Sequence, residues 1–358
     1  MMKSPLRQTL LQVLVAILFL TVLLTPQTAA AAPVLQETCE MPFEPVSAPL
    51  DDLAGLEYIR MDGTPTGAFG GLYPNGSNTR PAGHEAAGLR ISRQVVPRDS
   101  SGNIDALNGV IVMVSVGMSN TAMEFMTFRD AAQADPQVNP RLVLVNGAQP
   151  GQTSEAWVDP DAPPWVELNN RLQHAGLSKE QVQVAWLKQT QTGHGPFPDK
   201  PRSLQEELKA IVHNLKTHYP NLQLVYLSSR TRSYTYYIGL SPEPSAFETG
   251  FAVKWLVQAQ IEGDPELNYD AAAGPVVAPY LAWGPYLWAD GLNPRSDGLT
   301  WRPEDMVRDC THPSDQGREV IAGLLMDFFK TDTTTTWFLG TRQTARDPVF
   351  LPWMSRWN

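Results

Sequence analysis

Between residues 106 and 332, short apolar runs alternate with longer segments in which apolar residues recur every three or four positions. The first run, Val110 to Val116, is apolar except for Ser115, which is typical of a strand buried on both faces. The segment from Asn120 to Ala132 follows it with apolar residues at helical spacing. This alternation of strands and helices predicts a parallel sheet with helices on both of its faces.

The same pattern continues toward the C-terminus. Further strands are predicted over 141–145, 182–187, 222–227 and 276–281. Further helices are predicted over 203–218, 247–261 and 317–329. Ser203 and Glu206 have the spacing of a capping box, which places the start of the first of these helices at residue 203. The predicted fold class is therefore α/β, a three-layer α/β/α domain with a mainly parallel, flavodoxin-like sheet of about five strands.

Residues 1–32 have the composition of a secretory signal peptide. Lys3 and Arg7 precede an apolar stretch, and small residues around Ala30 offer a cleavage site. An uncleaved membrane anchor is the alternative, although the apolar stretch is short for a transmembrane helix. We expect a secreted or extracytoplasmic protein, in the periplasm or at the cell surface, with no stable membrane insertion after cleavage.

Residues 33–105 are rich in glycine, proline and asparagine, which favours turns and irregular chain over long helices. Because Leu56, Tyr58 and Ile59 supply apolar side chains to bury, we predict a loop-rich N-terminal extension packed on the main domain. A free linker is the alternative. The catalytic domain is predicted over 106–332, followed by a C-terminal tail over 333–358.

The chain is acidic, with a formal net charge of −10, and no basic cluster interrupts it. This charge disfavours nucleic acid as a partner. Cys39 and Cys310 are the only cysteines, and in an exported protein such a pair is more often bridged than free. Two buried free thiols are the alternative. Since two cysteines cannot form a zinc cluster and no histidine pair has metal-binding spacing, neither a metal nor another cofactor is predicted.

Two distant segments carry candidate catalytic chemistry. Ser119 directly follows the first strand, whereas Asp309 and His312 lie just before the last helix. A serine nucleophile needs a base within hydrogen-bond reach and a third group that orients the base. Each segment alone is common, because a serine after a strand is often only a helix cap. Since loops at the carboxyl ends of parallel strands meet at one edge of the sheet, the two segments together predict a serine esterase.

These segments also resemble the conserved blocks of a known family. Gly117-Met118-Ser119-Asn120, the stretch 146–153 and Asp309-x-x-His312-Pro313 are similar to the blocks of the SGNH (GDSL-type) hydrolase superfamily, and closest to its sialate O-acetylesterase-like branch. The resemblance implies that Ser119 is the nucleophile, His312 the base and Asp309 its orienting partner. It also implies that the backbone N–H of Gly151 helps to form the oxyanion hole. Ser119 is a second candidate for this hole, because free N–H groups at the N-terminus of the predicted helix can stabilise an oxyanion.

The third block of the superfamily differs in this chain. Where the family has Gly-x-Asn-Asp, or a Trp-x-Gln-Gly-Glu-like segment in the related branch, this sequence has Trp186-Leu187-Lys188-Gln189-Thr190. The side-chain donor to the oxyanion is therefore open between two residues. Gln189 offers an amide, and Lys188 offers a cation with less fixed geometry.

Several further residues are candidates for substrate binding. Aromatic side chains between residues 279 and 301 can stack on sugar rings or form a satellite core. A loop histidine can contact substrate or simply be exposed, and an arginine after the fourth strand can bind acidic substrate groups or local carboxylates. The candidates are Asn120, His194, Arg230, Trp283 and Trp288.

Together these features predict a secreted serine esterase that hydrolyses a small acyl ester through an acyl-enzyme. An O-acetyl carbohydrate is the favoured substrate, and a small-molecule or glycan ester is the only partner that we predict. The alternatives are a lipid or aryl esterase with the same triad, or a catalytically impaired secreted glycan-binding protein on the same fold. The sequence leaves the oligomeric state open.

Overall fold

The computed structural model describes residues 38–340. The predicted signal peptide at 1–32 and residues 341–358 of the predicted C-terminal tail lie outside this range. An antiparallel hairpin is formed by β1 (Glu57–Ile59) and β2 (Pro65–Phe69). The strands of the main sheet are β3 (Ile111–Gly117), β4 (Leu142–Val145), β5 (Val182–Lys188), β6 (Leu224–Leu227) and β7 (Tyr280–Trp283). The helices of the described range are α1 (Leu50–Leu53), α2 (Ala82–Ser92), α3 (Ser119–Ala134), α4 (Pro163–His174), α5 (Asp199–His218), α6 (Ser245–Ile261) and α7 (Asp315–Thr331).

The five strands of the main sheet are all parallel, in the order β4-β3-β5-β6-β7. This order is the flavodoxin-like one, and it confirms the predicted fold class. The chain passes from β3 to β4 on one side of it, and then crosses from β4 to β5 on the other side of β3. Ligands of such sheets bind beyond the carboxyl ends of the strands where the order reverses, which is the end of β3.

Alternate residues of β3 face two different cores. Ile111 and Met113 pack with Phe125 and Phe128 of α3 and with apolar residues of α7. Val112, Val114 and Val116 pack with the opposite layer, which contains α4, α5 and α6. All seven residues of the strand are buried, because helices cover both faces of the sheet.

Some of the predicted boundaries were wrong. Helix α5 begins at Asp199, so Ser203 lies inside the helix and accepts a hydrogen bond from Gln191 Nε2 at 3.0 Å instead of capping it. Strand β7 begins at Tyr280, four residues later than predicted. Helices α2 and α4 were not predicted at all. Alanine-rich α2 forms within the Gly/Pro-rich region because only single glycines interrupt it.

The hairpin packs against α6 within the described range. The ring of Tyr58 lies 4.9 Å from that of Phe247 and 5.4 Å from that of Phe251, measured between centroids. The domain boundaries proposed at 105 and 332 remain predictions. No helix among residues 38–340 combines the length and the apolar character that crossing a bilayer requires.

Candidate active site

Ser119 is the first residue of α3, two positions after the end of β3. The chain reverses its direction here within a very small space. A Cβ atom on Gly117 would lie 2.4 Å from both the carbonyl oxygen of Lys188 and the hydroxyl of Thr121, so only glycine fits. Met118 is extended and buried, and Ser119 is half-buried at the carboxyl edge of the sheet. The nucleophile candidate is therefore held at the point where the strand order reverses.

The structure brings Ser119, His312 and Asp309 together. The Oγ atom of Ser119 lies 2.6 Å from Nε2 of His312. The other ring nitrogen of His312, Nδ1, lies 2.6 Å from Oδ2 of Asp309. Both distances are those of hydrogen bonds, so the three side chains form a continuous hydrogen-bonded series of the kind that activates a serine hydroxyl.

The carboxylate of Asp309 uses its two oxygens differently. Oδ1 accepts hydrogen bonds from the backbone N–H groups of Thr311 at 3.0 Å and His312 at 2.9 Å, whereas Oδ2 binds the imidazole. Burial opposes ionisation, but these hydrogen bonds outweigh it and lower the pKa of Asp309. The carboxylate therefore stays ionised at neutral pH and orients the ring with Nδ1 protonated, leaving Nε2 free to accept the serine proton.

Buried neighbours hold the turn that carries Asp309 and His312. Asn120 Nδ2 donates to the carbonyl oxygen of Thr311 at 2.6 Å, and Arg230 Nη2 donates to the hydroxyl of Thr311 at 2.7 Å. Asn120 and Arg230 are only 1% and 3% exposed. Their prediction as substrate-binding residues was therefore wrong, since protein atoms cover them on every side. They position the turn against the start of α3.

A disulfide joins Cys39 to Cys310, inside the same turn. Cys310 has a φ of +62°, an uncommon conformation for a residue with a side chain. Backbone hydrogen bonds flank the bridge, from Cys39 N to Met306 O and from Tyr234 N to Cys310 O. The N-terminal segment is therefore covalently bonded to the His312 turn. Of the two cysteine states that the sequence left open, the bridged one is present.

Breaking this disulfide is expected to weaken both the fold and the site. Cys39→Ser should lower the free energy of unfolding by about 2–4 kcal/mol, because the bridge closes a loop of 271 residues in the unfolded chain. Urea unfolding monitored by tryptophan fluorescence measures this loss. The control is dithiothreitol, which should destabilise the parent protein but not the variant. Equal urea midpoints for parent and variant would contradict the expectation.

Gly151 lies in the loop after β4, which is tied to the end of β3. Gln149 N donates to the carbonyl oxygen of Gly117 at 3.0 Å, and Gln152 N donates back to Gln149 O at 3.2 Å. In the resulting turn Gly151 has a φ of +74° and is exposed, with open space for 4 Å around the point where a Cβ atom would lie. The loop therefore lies beside Ser119, and the role of the Gly151 N–H as an oxyanion donor remains a prediction.

Lys188 cannot serve as the second oxyanion donor. Its ammonium group is fully buried and binds both oxygens of Glu124, at 2.5 and 2.6 Å. Burial lowers the pKa of Lys188 to about 8, against the attraction of Glu124. The pair links the end of β5 to α3, the helix that begins at Ser119. The amide of Gln189 is also committed, since Nε2 donates to Gln152 O at 3.3 Å, but its second N–H leaves the prediction open.

The chain has structural similarity to known proteins but no match in sequence. No family model and no curated protein matches it. Solved structures with a similar architecture include the periplasmic domain of a lipopolysaccharide acetyltransferase from Salmonella ser. Paratyphi A, with 13% identity, a TM-score of 0.35 and coverage of 70% of this chain and 96% of that one. A carbohydrate esterase family 3 protein from Talaromyces cellulolyticus has 11% identity and a TM-score of 0.31, over 60% and 94% of the two chains. A putative acylhydrolase from Bacteroides fragilis has 12% identity and a TM-score of 0.34, over 67% and 92%.

The residues of the triad come from the two ends of the main α/β domain. Ser119 follows the first strand of the main sheet, and the Asp309–His312 turn directly precedes the last helix. The chain resembles the SGNH hydrolases. The likeness extends from the sequence blocks to the five-stranded parallel sheet and the contact between the first and last blocks. The similarities to solved structures concern only the general architecture.

The two tryptophans proposed to stack on substrate are core residues, so this prediction was wrong. Trp283 is 2% exposed and donates from Nε1 to Leu72 O, and Trp288 is fully buried and donates from Nε1 to Glu243 Oε1. They belong to the main hydrophobic core on one face of the sheet and not to a separate satellite core, and each indole N–H has a hydrogen-bond acceptor. His194 lies exposed in the loop after β5, and its contact with substrate remains a prediction.

Sequence patterns did not reveal two buried contributors to the site. Glu124 of α3 binds the ammonium group of Lys188, and helical spacing alone does not indicate that a glutamate at this position is buried. Ser115 donates to Asn146 Oδ1 at 2.9 Å, and Asn146 Nδ2 donates to Ala122 O, which connects β3, the loop after β4 and α3. The single polar residue in an otherwise apolar strand was the available signal for Ser115. Within residues 38–340, no three His, Cys, Asp or Glu side chains are grouped as metal ligands.

Proposed function

We propose that the protein is a serine esterase that hydrolyses a carboxylic ester through an acyl-enzyme on Ser119. One observation carries this proposal: the hydrogen-bonded chain from Ser119 Oγ through both ring nitrogens of His312 to Asp309 Oδ2, at the carboxyl edge of the sheet. Ser119 and His312 are half-buried, so solvent-borne substrate can approach them. The complete triad disfavours a glycan-binding protein that has lost catalysis.

The reaction has two halves that use the same residues. Ser119 Oγ attacks the carbonyl carbon of the ester while Nε2 of His312 takes its proton. Collapse of the tetrahedral intermediate breaks the bond to the alcohol oxygen, which receives that proton and leaves. Water then attacks the acyl-enzyme, giving its proton to His312. The acid departs as Ser119 Oγ recovers the proton.

The intermediate needs donors for its negative oxygen. The backbone N–H of Ser119 lies at the N-terminus of α3, where unpaired N–H groups and the helix dipole favour an anion. The loop of Gly151 supplies the second backbone donor in this proposal. Removing a side-chain donor from such a hole typically costs a factor of about 10²–10³ in rate. The proposed hole works with backbone groups and at most the amide of Gln189.

The disulfide supports an extracytoplasmic location, because such bonds persist in oxidising compartments. We propose that the substrate carries a small acyl group, with O-acetyl carbohydrate preferred over lipid or aryl esters. Comparison of p-nitrophenyl acetate with a long-chain p-nitrophenyl ester separates the small-acyl proposal from a lipid esterase.

A fluorophosphonate probe tests the proposed nucleophile directly. The folded protein should react at one position, and peptide mapping should place the adduct on Ser119, because only an activated serine attacks phosphorus quickly. Ser119→Ala should abolish labelling. The matched control is Ser101→Ala, at an exposed serine in the loop before β3, which should label like the parent. Labelling that persists in Ser119→Ala, or absence of labelling in the folded parent, would overturn the proposal.

A further inference from the structure

Three consecutive large side chains are exposed in the loop after β6. Tyr236, Tyr237 and Ile238 are 59%, 67% and 66% exposed, and we call them the Tyr236–Ile238 segment. Single exposed apolar residues are ordinary on protein surfaces, whereas a contiguous exposed apolar surface is a candidate binding site. The proposed mechanism assigns no role to it.

The segment is attached to the catalytic turn at one end. Tyr234 N donates to the carbonyl oxygen of Cys310 at 2.9 Å. The hydroxyls of Ser233 and Thr311 lie 3.1 Å apart. Thr311 is the residue directly before His312, and Tyr234 is two residues before the exposed segment, so these hydrogen bonds connect the segment to the His312 turn.

The other end of the loop contacts the loop after β5. Gly193 N donates to Leu240 O at 2.9 Å, directly beside His194. Loops after β5 and β6 both emerge from the carboxyl edge of the sheet, as Ser119 does. The Tyr236–Ile238 segment therefore belongs to the same edge as the nucleophile, on the side of β5 and β6.

Local hydrogen bonds fix the segment in place. Tyr237 N donates to the hydroxyl of Thr235 at 3.1 Å, and Leu240 N donates to Tyr237 O at 3.0 Å. The ring of Tyr237 lies over Gly239, where a Cβ atom would come within 2.5 Å of it. A tyrosine held in this way binds a ligand at a low cost in conformational entropy, because it has only two side-chain torsions.

The shape and chemistry of this surface favour a sugar over an alkyl chain. An alkyl chain gains most when a pocket covers it on all sides, whereas an open aromatic surface covers one face of its ligand. A sugar ring has an apolar face formed by C–H groups and a polar rim that remains hydrated. Slight burial and the neighbouring carboxylate of Glu44 raise the pKa of Tyr236, and that carboxylate can accept hydrogen bonds from sugar hydroxyls.

We propose that the Tyr236–Ile238 segment is the binding subsite for the sugar part of a carbohydrate ester whose acyl group is attacked by Ser119. The coupling to hydrolysis rests on the proposed function. In this proposal Tyr236 and Tyr237, which are exposed, stack on the sugar in place of Trp283 and Trp288.

Kinetics on two kinds of substrate test the subsite. The double variant Tyr236→Ala/Tyr237→Ala should raise KM for the best of a panel of O-acetylated polysaccharides by about tenfold, since each ring contributes a modest stacking energy. Hydrolysis of p-nitrophenyl acetate, which has no sugar, should stay within about twofold of the parent. Tyr236→Phe/Tyr237→Phe should retain the parent KM, because the rings are kept. Leu107→Ala, at a 78% exposed residue before β3, is the surface control.

Two results would overturn the subsite. Equal losses on both substrates would show that the segment only supports the His312 turn, and an unchanged KM for every acetylated polysaccharide would show that it binds no sugar. Failure of the proposed function looks different, because then the parent hydrolyses neither substrate. In that case affinity electrophoresis of Ser119→Ala in gels containing each polysaccharide still decides: retardation that the alanine pair abolishes supports the subsite, and absence of retardation rejects it.

Discussion

Ser119→Ala is expected to abolish hydrolysis of p-nitrophenyl acetate, lowering kcat by a factor on the order of 10⁵–10⁶. The reason is the 2.6 Å contact between Ser119 Oγ and His312 Nε2, which is the route by which the nucleophile loses its proton. His312→Ala should cost about as much, and the double variant no more than either single one, because the two residues act as a unit. Asp309→Asn should lower kcat by about 10⁴, since it disturbs the orientation and tautomer of the ring.

Initial rates of p-nitrophenol release, measured over a range of substrate concentrations, give these values. The matched control for His312→Ala is His174→Ala, which removes an exposed histidine from the last turn of α4. That control should keep the rate of the parent. A Ser119→Ala protein with kcat within about tenfold of the parent would exclude the serine mechanism.

The second large effect concerns the buried ion pair between Lys188 and Glu124. Lys188→Met and Glu124→Leu should each lower the free energy of unfolding by about 3–5 kcal/mol, because each leaves one buried charge without its partner. The double variant Lys188→Met/Glu124→Leu should recover most of that loss, since it removes both charges and keeps the volume apolar. Arg230 lies near both groups, so Glu124→Leu should be the more damaging of the single changes.

Urea unfolding measures the free energy of unfolding of all three variants. Asp130→Ala is the control, since it removes an exposed ion pair with Arg129 on the same helix and should change stability by less than about 1 kcal/mol. Additive losses in the double variant would contradict the pairing argument, because independent sites add and coupled sites do not. The same variants separate stability from catalysis, since Lys188 is not assigned to the reaction.

The fold could be predicted from the sequence because apolar runs of strand length alternate with segments of helical apolar spacing. Strand β3 has a single polar residue and α7 keeps a regular apolar face, so the local pattern and the buried layers agree. Helix starts were less predictable. Ser203 and Glu206 fit a capping box in sequence, but a further turn from Asp199 precedes them in the structure, with Pro201 in the first turn of α5, where proline is tolerated.

The sequence by itself determined the three-layer parallel fold and the identity of Ser119, Asp309 and His312 as a group. Fold class follows from local periodicity, and parallel topology brings the loops at the carboxyl ends of the strands to one edge. Only the tertiary structure decided which polar and aromatic side chains near that edge are buried. Lys188 is buried with Glu124 as its partner, and Arg230 is buried with Thr311 as its partner. The indole N–H groups of Trp283 and Trp288 likewise bind Leu72 and Glu243. Those partners are distant in sequence, and no local pattern encodes a pairing between residues that meet only when the chain has folded.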